Sequence, residues 1–409
     1  MNNPLVEIQK FGQSIWYDNI SRDLITSGDL AAMIEHDGVM GVTSNPAIFE
    51  KAISGSRAYD SAIAALVHRG VDSAQGVYEQ LAIDDIQQAA DVLLPVYTRT
   101  DGIDGYVSLE VSPHLAHDTQ ATIDEARRLR SSVGRPNVMI KVPATPAGIP
   151  AIAQLIGEGI NVNVTLLFAI AMYEQAAEAF MTGIEQLISS GGDARRVASV
   201  ASFFVSRIDT MVDEKIAAIV ANESERAQQA KLQSLMGKVA TANAKLAYAR
   251  YREIYASERW KGLATKGARP QRLLWASTST KNPSYAKTMY VGPLIGPETV
   301  NTLPAETVAE FREHGRVHPG LTENWDDNVA GARQTMRALA EAGISIDRVT
   351  DALLADGVKK FCDPFDKLLA SIAGKCRAVA AEREDLPART RGGNECPSDA
   401  GALADRPPA

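Results

Sequence analysis

The segment YVSLEVSPHLAHDTQATIDEARRLRSSVGRPNVMI spans residues 106–140 and combines two hydrophobic periods. Its two ends, residues 106–109 and 138–140, are short apolar runs of the kind found in β-strands. Between them, residues 118–133 place apolar side chains at helical spacing among charged ones, with Asp118 or Thr119 available as the N-cap. A strand, a helix and a second strand in this order are typical of a parallel sheet covered by helices.

The same alternation continues along most of the chain and gives eight candidate strands. They lie near residues 15–17, 41–43, 106–109, 138–140, 160–162, 197–201, 272–276 and 288–291. Eight parallel strands with helices between them close into a barrel whose functional rim is at the carboxyl ends of the strands. We therefore predict an α/β fold that consists of a single (β/α)8 TIM-type barrel with additional N- and C-terminal helices.

Helical periodicity fills the remaining segments. It predicts helices over residues 118–133, 169–189, 212–254 (as one helix or two), 328–341 and 351–381. We assign residues 1–382 to the barrel and its additions. Residues 383–409 are rich in proline and glycine and poor in apolar side chains, which predicts a disordered tail.

Composition excludes several classes of protein. The 409 residues carry a formal net charge of -8, whereas proteins that bind nucleic acids or anionic membranes are usually basic. Only three cysteines are present, without a Cys-x-x-Cys pair, which favours a reducing compartment. Neither a signal peptide nor an apolar segment of membrane-spanning length is evident. We expect a soluble cytoplasmic protein that binds neither nucleic acid nor membrane.

Polar side chains follow or interrupt the predicted strands where a barrel would gather them at one mouth. Lys141 is the most informative, because an amine among apolar residues loses solvation, and a neutral amine is a nucleophile towards carbonyl groups. A lysine that extends to solvent and a buried ion-pair partner for Asp18 or Glu110 are the structural alternatives. Asp18 alone is also typical of a turn or an N-cap, whereas Glu110 within an apolar run needs a partner or a raised pKa.

A second group of residues is suited to binding phosphate. Ser202 ends one predicted strand and Arg207 follows five residues later, so that a guanidinium and a hydroxyl could hold one anion. Pairing of Arg207 with Asp209 or Asp213 is the alternative. The run STSTKNP over residues 277–283 is either a second phosphate lobe or an ordinary loop. The sequence shows no Gly-rich nucleotide motif and no zinc pattern, so we predict no metal site.

At these residues the sequence resembles the transaldolases, in the longer bacterial subgroup. The resemblance rests on motifs that occur in the family's order: WYDN (16–19), GVTSNPAIF (41–49), SLEV (108–111), IKVPAT (140–145), NVNVTLLF (161–168), SFFVSR (202–207) and WASTSTKNP (275–283). It implies a permuted (β/α)8 barrel and a mechanism without a cofactor. It also implies the non-oxidative pentose phosphate pathway, with sugar phosphates as substrates.

The resemblance also implies roles for individual residues. Lys141 forms a Schiff base with the C2 carbonyl of sedoheptulose 7-phosphate or fructose 6-phosphate, and Asp18 removes the C4 hydroxyl proton. Glu110 and Thr165 hold the water that shuttles protons. The resulting dihydroxyacetone enamine adds to erythrose 4-phosphate or glyceraldehyde 3-phosphate.

The remaining roles concern binding. The resemblance implies that Asn45 and Asn163 bind the dihydroxyacetone hydroxyls, that Thr43 supports Asn45 or the surroundings of the lysine, and that Ser202 and Arg207 bind phosphate. Lys281 is the candidate for the second phosphate cation.

Three other functions remain open at this point. An aldolase of the same mechanistic type would release free dihydroxyacetone, a non-catalytic protein would only bind sugar phosphates, and a pyridoxal phosphate enzyme would also use a lysine imine.

Overall fold

Eight parallel strands pair in chain order and close into a barrel, in which the first strand is hydrogen-bonded to both the second and the eighth. The computed structural model describes residues 3–384. With helices in the connections, this architecture confirms the predicted (β/α)8 barrel. The strands are β1 (Gln13–Tyr17), β2 (Val39–Val42), β3 (Tyr106–Glu110), β4 (Val138–Pro143), β5 (Val162–Leu167), β6 (Ser199–Phe204), β7 (Arg272–Ala276) and β8 (Thr299–Leu303).

Helices surround the barrel, and further helices precede the first strand and follow the last strand along the chain. The described residues form α1 (Pro4–Glu7), α2 (Arg22–Thr26), α3 (Asp29–His36), α4 (Pro46–Ser54), α5 (Asp60–His68), α6 (Ala74–Arg99), α7 (Thr119–Val133), α8 (Gly148–Gly157), α9 (Ile170–Ser189), α10 (Ser206–Val220), α11 (Arg226–Gln233), α12 (Val239–Tyr255), α13 (Glu258–Ala264), α14 (Ala305–His314), α15 (Trp325–Glu341) and α16 (Ile346–Glu384). Short 3-10 helices lie at Ile8–Phe11, Pro113–Leu115, Ala194–Arg196 and Gly292–Leu294.

Helix α7 illustrates how the sequence specifies one unit of the barrel. Asp118 caps it, because its side chain accepts a hydrogen bond from Ala121 N at 2.9 Å. Gly134 ends it at a positive φ of 58°, which glycine adopts without strain. The apolar stripe that includes Ile123 and Leu129 is buried, so helix and strand share one hydrophobic layer outside the barrel wall.

Two tryptophans fill large parts of the core. Trp16 and Trp275 are completely buried, and each indole N–H has an acceptor, Asp104 Oδ1 at 2.9 Å and Leu294 O at 3.0 Å respectively. Gly41 makes room for the first of these rings, since a Cβ at this position would lie 2.5 Å from the Trp16 indole. Gly41 is therefore required by close packing rather than by an unusual backbone angle.

The eighth predicted strand is wrong. Residues 288–291 form a turn that leads into the 3-10 helix, and the eighth strand is β8. Three of the five residues in its sequence, TVNTL, are polar, yet Thr299 and Asn301 are fully buried. They are hydrogen-bonded to Gln13 and Thr278, and such bonds offset the cost of burying polar groups. A strand stabilised in this way does not stand out by its hydrophobicity.

Two further predictions differ in detail. The segment 212–254 lies in three helices, α10, α11 and α12, rather than in one or two. Of the predicted tail, residues 383 and 384 belong to the end of α16, and residues 385–409 lie outside the part of the chain that the structure describes.

The C-terminal helix α16 reaches the same end of the barrel as the predicted site residues. Phe361 and Phe365 are buried in its middle, and Phe365 packs edge-on against Tyr78 of α6 with 5.3 Å between ring centroids. Pro364 stands inside the helix and has no N–H to continue the hydrogen-bond ladder at that point. The helix thus contributes a wall of side chains to the mouth of the barrel.

Candidate active site

Three neighbouring strands bring three of the predicted site residues to one level. Glu110 of β3 pairs with Lys141 of β4, which pairs in turn with Asn163 of β5. The sequence predicted polar residues beyond the ends of short strands, but these side chains lie within longer strands. Strand residues that face the barrel interior need not be apolar where they border a site, which explains why the strands appear shorter in the sequence.

Lys141 is almost fully buried, with 5% of its surface exposed. Its Nζ donates a hydrogen bond to the backbone oxygen of Ser44 at 3.0 Å and lies 3.5 Å from Glu110 Oε2. The ring of Phe361 lies over the amine, with its centroid 5.6 Å from Nζ. The amine therefore does not extend to bulk solvent, which was one alternative to a catalytic role. It does form a buried ion pair with Glu110, which was the other.

Glu110 is suited to proton transfer near neutral pH. Burial raises the pKa of its carboxyl to about 7, although the nearby Lys141 amine acts in the opposite direction. Its Oε2 is buried and has no hydrogen-bond partner among the described residues. A carboxyl group with this pKa can both donate and accept a proton at pH 7.

Asp18 follows β1 and belongs to a chain of hydroxyl groups. Thr43 Oγ1 donates a hydrogen bond to Asp18 Oδ1 at 2.6 Å, and Thr302 Oγ1 lies 2.6 Å from Thr43 Oγ1. Because the single hydroxyl proton of Thr43 is directed to the carboxylate, Thr302 is the donor in the second bond. Burial raises the pKa of Asp18, while Lys141 and the Thr43 hydrogen bond lower it.

A buried network orients the amide of Asn163. Ser202 Oγ donates to Asn163 Oδ1 at 2.7 Å, and Asn163 Nδ2 donates to Ser108 Oγ at 3.0 Å. Both ends of the amide are therefore hydrogen-bonded, which holds the side chain in place. Thr165 is fully buried on the same strand, and its Oγ1 has no partner among the described residues.

Asn45 is the N-cap of α4, where its Oδ1 accepts a hydrogen bond from Ile48 N at 3.1 Å. Pro46 occupies the first helical position, where its missing N–H has no cost. This capping role accounts for the sequence pattern Asn-Pro after β2. The side chain also borders the cavity described next.

A cavity of about 690 Å³ opens at the carboxyl ends of the strands. Seven of the ten predicted site residues line it: Asp18, Thr43, Asn45, Lys141, Ser202, Arg207 and Lys281. The other three, Glu110, Asn163 and Thr165, are buried but do not line the cavity, and the first two pair with Lys141 in the sheet.

Arg207 and Lys281 supply positive charge to this cavity. The Arg207 guanidinium lies 5.3 Å from the Phe204 ring centroid, and burial lowers the pKa of Arg207. The predicted alternative partners, Asp209 and Asp213, instead accept hydrogen bonds from tyrosine hydroxyls at 2.9 Å and 2.6 Å. Cations and hydroxyls on one wall are suited to a phosphate group.

Several residues of the site were not predicted, and three of them show different reasons. The backbone carbonyl of Ser44 accepts a hydrogen bond from the Lys141 amine, but a backbone acceptor cannot be recognised from the pattern of side chains in a sequence. Ser279 lines the cavity and accepts a hydrogen bond from Lys281 Nζ at 2.9 Å, and it belongs to the hydroxyl-rich run that the sequence did single out. Phe361 is distant in sequence from every predicted site residue.

The described residues offer neither a cluster suited to a metal ion nor a helix suited to span a membrane. Among residues 3–384, no group of three or more histidine, cysteine or acidic side chains is arranged to hold a metal ion. Within the same range, no helix is both long enough and apolar enough to cross a membrane.

Comparison with known proteins agrees with this geometry. The model of the family described as Transaldolase/Fructose-6-phosphate aldolase matches residues 15–372. A protein named Transaldolase 2 from Nostoc sp. is 50% identical over 381 residues, which cover 92% of this chain and 99% of the relative. Proteins named Transaldolase from Trichodesmium erythraeum and Acidothermus cellulolyticus are 47% and 48% identical, over 93% and 94% of this chain and 99% and 100% of the relatives. The chain therefore belongs to the transaldolase/fructose-6-phosphate aldolase family.

Proposed function

We propose that this chain transfers a dihydroxyacetone unit from a ketose phosphate to an aldose phosphate through a Schiff base on Lys141. The chain is a transaldolase, an enzyme that transfers aldehyde or ketone groups. The observation that carries the proposed chemistry is a buried amine on the wall of a cavity, 3.5 Å from a buried carboxyl group. A desolvated lysine is the nucleophile that such chemistry requires.

The first stage joins the lysine to the substrate. The neutral Lys141 amine attacks the C2 carbonyl and gives a carbinolamine, which loses water to form an iminium ion. Glu110 exchanges the protons for both steps, and its pKa of about 7 supports this role. Glu110 Oε2 and Thr165 Oγ1 are buried without hydrogen-bond partners among the described residues, which supports a shared water molecule as the proton carrier.

The second stage breaks the C3–C4 bond. Asp18 removes the proton of the C4 hydroxyl group, the bond electrons move towards the iminium nitrogen, and an aldose phosphate leaves. A pKa raised by burial makes the Asp18 carboxylate a stronger base. The enamine that remains on Lys141 then adds to the aldehyde carbon of the acceptor, and reversal of the first stage releases the new ketose phosphate.

The binding residues extend from this centre. Asn45 and Asn163 hold the hydroxyl groups of the dihydroxyacetone unit, Thr43 holds Asp18, and Ser202 and Arg207 bind phosphate. Lys281 contributes the second cation. We propose sedoheptulose 7-phosphate or fructose 6-phosphate as donor and glyceraldehyde 3-phosphate or erythrose 4-phosphate as acceptor, in the non-oxidative pentose phosphate pathway of the cytoplasm.

Borohydride reduction in the presence of fructose 6-phosphate tests the proposal. The reduced adduct is expected on the peptide that contains Lys141 and is absent from Lys141→Ala. Lys51 also lines the cavity, so Lys51→Ala is the matched control and is expected to retain the adduct. An adduct on another lysine, or no adduct, would refute the assigned nucleophile.

A further inference from the structure

The reactive amine has polar neighbours on one side and an aromatic ring on the other. Ser44 O and Glu110 approach Lys141 Nζ from the barrel, at 3.0 Å and 3.5 Å. Phe361 approaches from α16, lines the same cavity and is 95% buried. The mechanism proposed above assigns no task to this ring, although it is the apolar group that α16 presents to the amine.

Contacts on both sides of Phe361 hold α16 in place. On the N-terminal side, Gly357 packs so closely on β5 that a Cβ would lie 3.0 Å from the Leu166 side chain. On the C-terminal side, Lys367 forms an ion pair with Glu50 of α4 at 2.7 Å.

Further along the helix, Lys375 bridges α4 and α5. Its Nζ lies 2.7 Å from Asp60 Oδ1 and donates to the backbone oxygens of Ile53 and Ser56. The helix is therefore anchored to β5, α4 and α5, and Phe361 is held over the amine rather than left free to swing away.

An enamine on Lys141 has two fates in chemical terms. It can add to an acceptor aldehyde, which is transfer. Alternatively, C3 takes up a proton, a water molecule adds to C2 of the resulting iminium ion, and the C2–N bond breaks, which consumes one water molecule and releases free dihydroxyacetone and the lysine amine. Enclosure of an active site suppresses hydrolysis of reactive intermediates. An apolar ring offers water no hydrogen bond on the side of the amine that it covers.

We infer that Phe361 is a specificity-determining residue, whose ring excludes bulk water, other than the molecule held by Glu110 and Thr165, from the Lys141 adduct and thereby favours transfer to an aldose phosphate over release of free dihydroxyacetone. This inference rests on the proposed Schiff-base function. It assigns to α16 the task of separating transferase from aldolase behaviour. It also explains why α16 places a buried aromatic ring over an amine whose other close neighbours, Ser44 O and Glu110, are polar.

The test compares two rates in Phe361→Ala, Phe361→Leu and the unaltered enzyme. One is the release of free dihydroxyacetone from fructose 6-phosphate without an acceptor, and the other is transfer to erythrose 4-phosphate. The ratio of release to transfer is expected to rise about tenfold in Phe361→Ala, which corresponds to about 1.4 kcal/mol, and less in Phe361→Leu. Leu368→Ala is the matched control, because Leu368 is fully buried on the same helix but does not line the cavity.

The outcomes separate this inference from the function on which it rests. An unchanged ratio in Phe361→Ala, with the adduct on Lys141 still trapped by borohydride, overturns the role of Phe361 alone. An equal rise in Leu368→Ala also overturns it, because any loosening of α16 would then suffice. Failure to trap an adduct in the unaltered enzyme overturns the proposed function. Phe361→Leu retains most of the buried volume and carries the test should Phe361→Ala unfold.

Discussion

Lys141 and Glu110 face each other on adjacent strands, with 3.5 Å between Nζ and Oε2 and with more than nine tenths of each residue buried. Burial disfavours the charged form of Glu110, while the nearby Lys141 amine favours it. For Glu110 burial has the larger effect and raises its pKa to about 7. The pair is therefore suited to exchanging protons during the formation of an imine at neutral pH.

Lys141→Ala is expected to abolish turnover and to leave the melting temperature nearly unchanged. Removal of a buried amine relieves its desolvation, and Glu110, whose pKa rises further without its cationic neighbour, becomes neutral instead of standing as an unpaired charge. Thermal unfolding followed by circular dichroism measures the second part. Loss of the cooperative transition would make this lysine a structural residue.

Glu110→Gln is expected to change how stability depends on pH. The pKa of Glu110 is raised from 4.5 to about 7, so between these values the folded state holds a proton that the unfolded state has lost. This group therefore lowers the free energy of unfolding as the pH rises from about 4.5 to about 7. Across this window, the free energy of unfolding of the variant should rise by up to about 3 kcal/mol relative to that of the unaltered protein.

Urea denaturation of both proteins at several pH values measures this difference. A difference that stays constant between pH 4.5 and 7 would contradict the raised pKa. The same variant should form the borohydride-trapped adduct about 10²- to 10⁴-fold more slowly, which is the usual contribution of a general acid or base.

Asp18→Asn is expected to slow C–C bond cleavage more than imine formation. Asparagine can still accept the Thr43 hydrogen bond but cannot remove the C4 hydroxyl proton, so turnover should fall by about 10²- to 10⁴-fold. Single-turnover release of the aldose phosphate is compared with the rate of borohydride trapping. Equal losses in the two measurements would assign Asp18 to imine formation instead. Thr43→Val, which keeps the Asp18 carboxylate, should reduce turnover less than Asp18→Asn does.

Arg207→Ala is expected to weaken binding of phosphorylated substrates with a smaller effect on kcat. A charge-assisted hydrogen bond contributes about 1.5–3 kcal/mol, so KM should rise about 10- to 100-fold. Lys281→Ala should have a weaker effect, because Lys281 is exposed. Inhibition by inorganic phosphate gives an independent measurement. An unchanged inhibition constant for inorganic phosphate in Arg207→Ala would show that Arg207 does not bind the phosphate group.

The fold and much of the site could be predicted because the barrel topology itself gathers the carboxyl ends of the strands. A polar residue within an apolar run, such as Lys141 or Glu110, is therefore informative even without coordinates. Strand β8 escaped prediction because its buried Thr299 and Asn301 are stabilised by hydrogen bonds and not by hydrophobicity. Hydrophobic periodicity detects only the apolar contribution to burial.

Contacts between distant segments could not be predicted in the same way. Phe361 belongs to a helix whose apolar stripe indicates only that one face is buried, not what it covers. The backbone carbonyl of Ser44 accepts a hydrogen bond from the Lys141 amine, and every residue type has such a carbonyl, so the residue type gives no information about this contact. Both contacts depend on tertiary packing and not on local sequence.

The order of the elements along the chain has a consequence for biosynthesis. All eight strands are complete at Leu303, whereas the helix that carries Phe361 begins at Ile346. Chains emerge from the ribosome N-terminus first, so the strands are available to pair before this helix is synthesised. A nascent barrel would then expose the amine of Lys141 to water and to cellular aldehydes until α16 docks, so that the nucleophile is shielded only after the strands are complete.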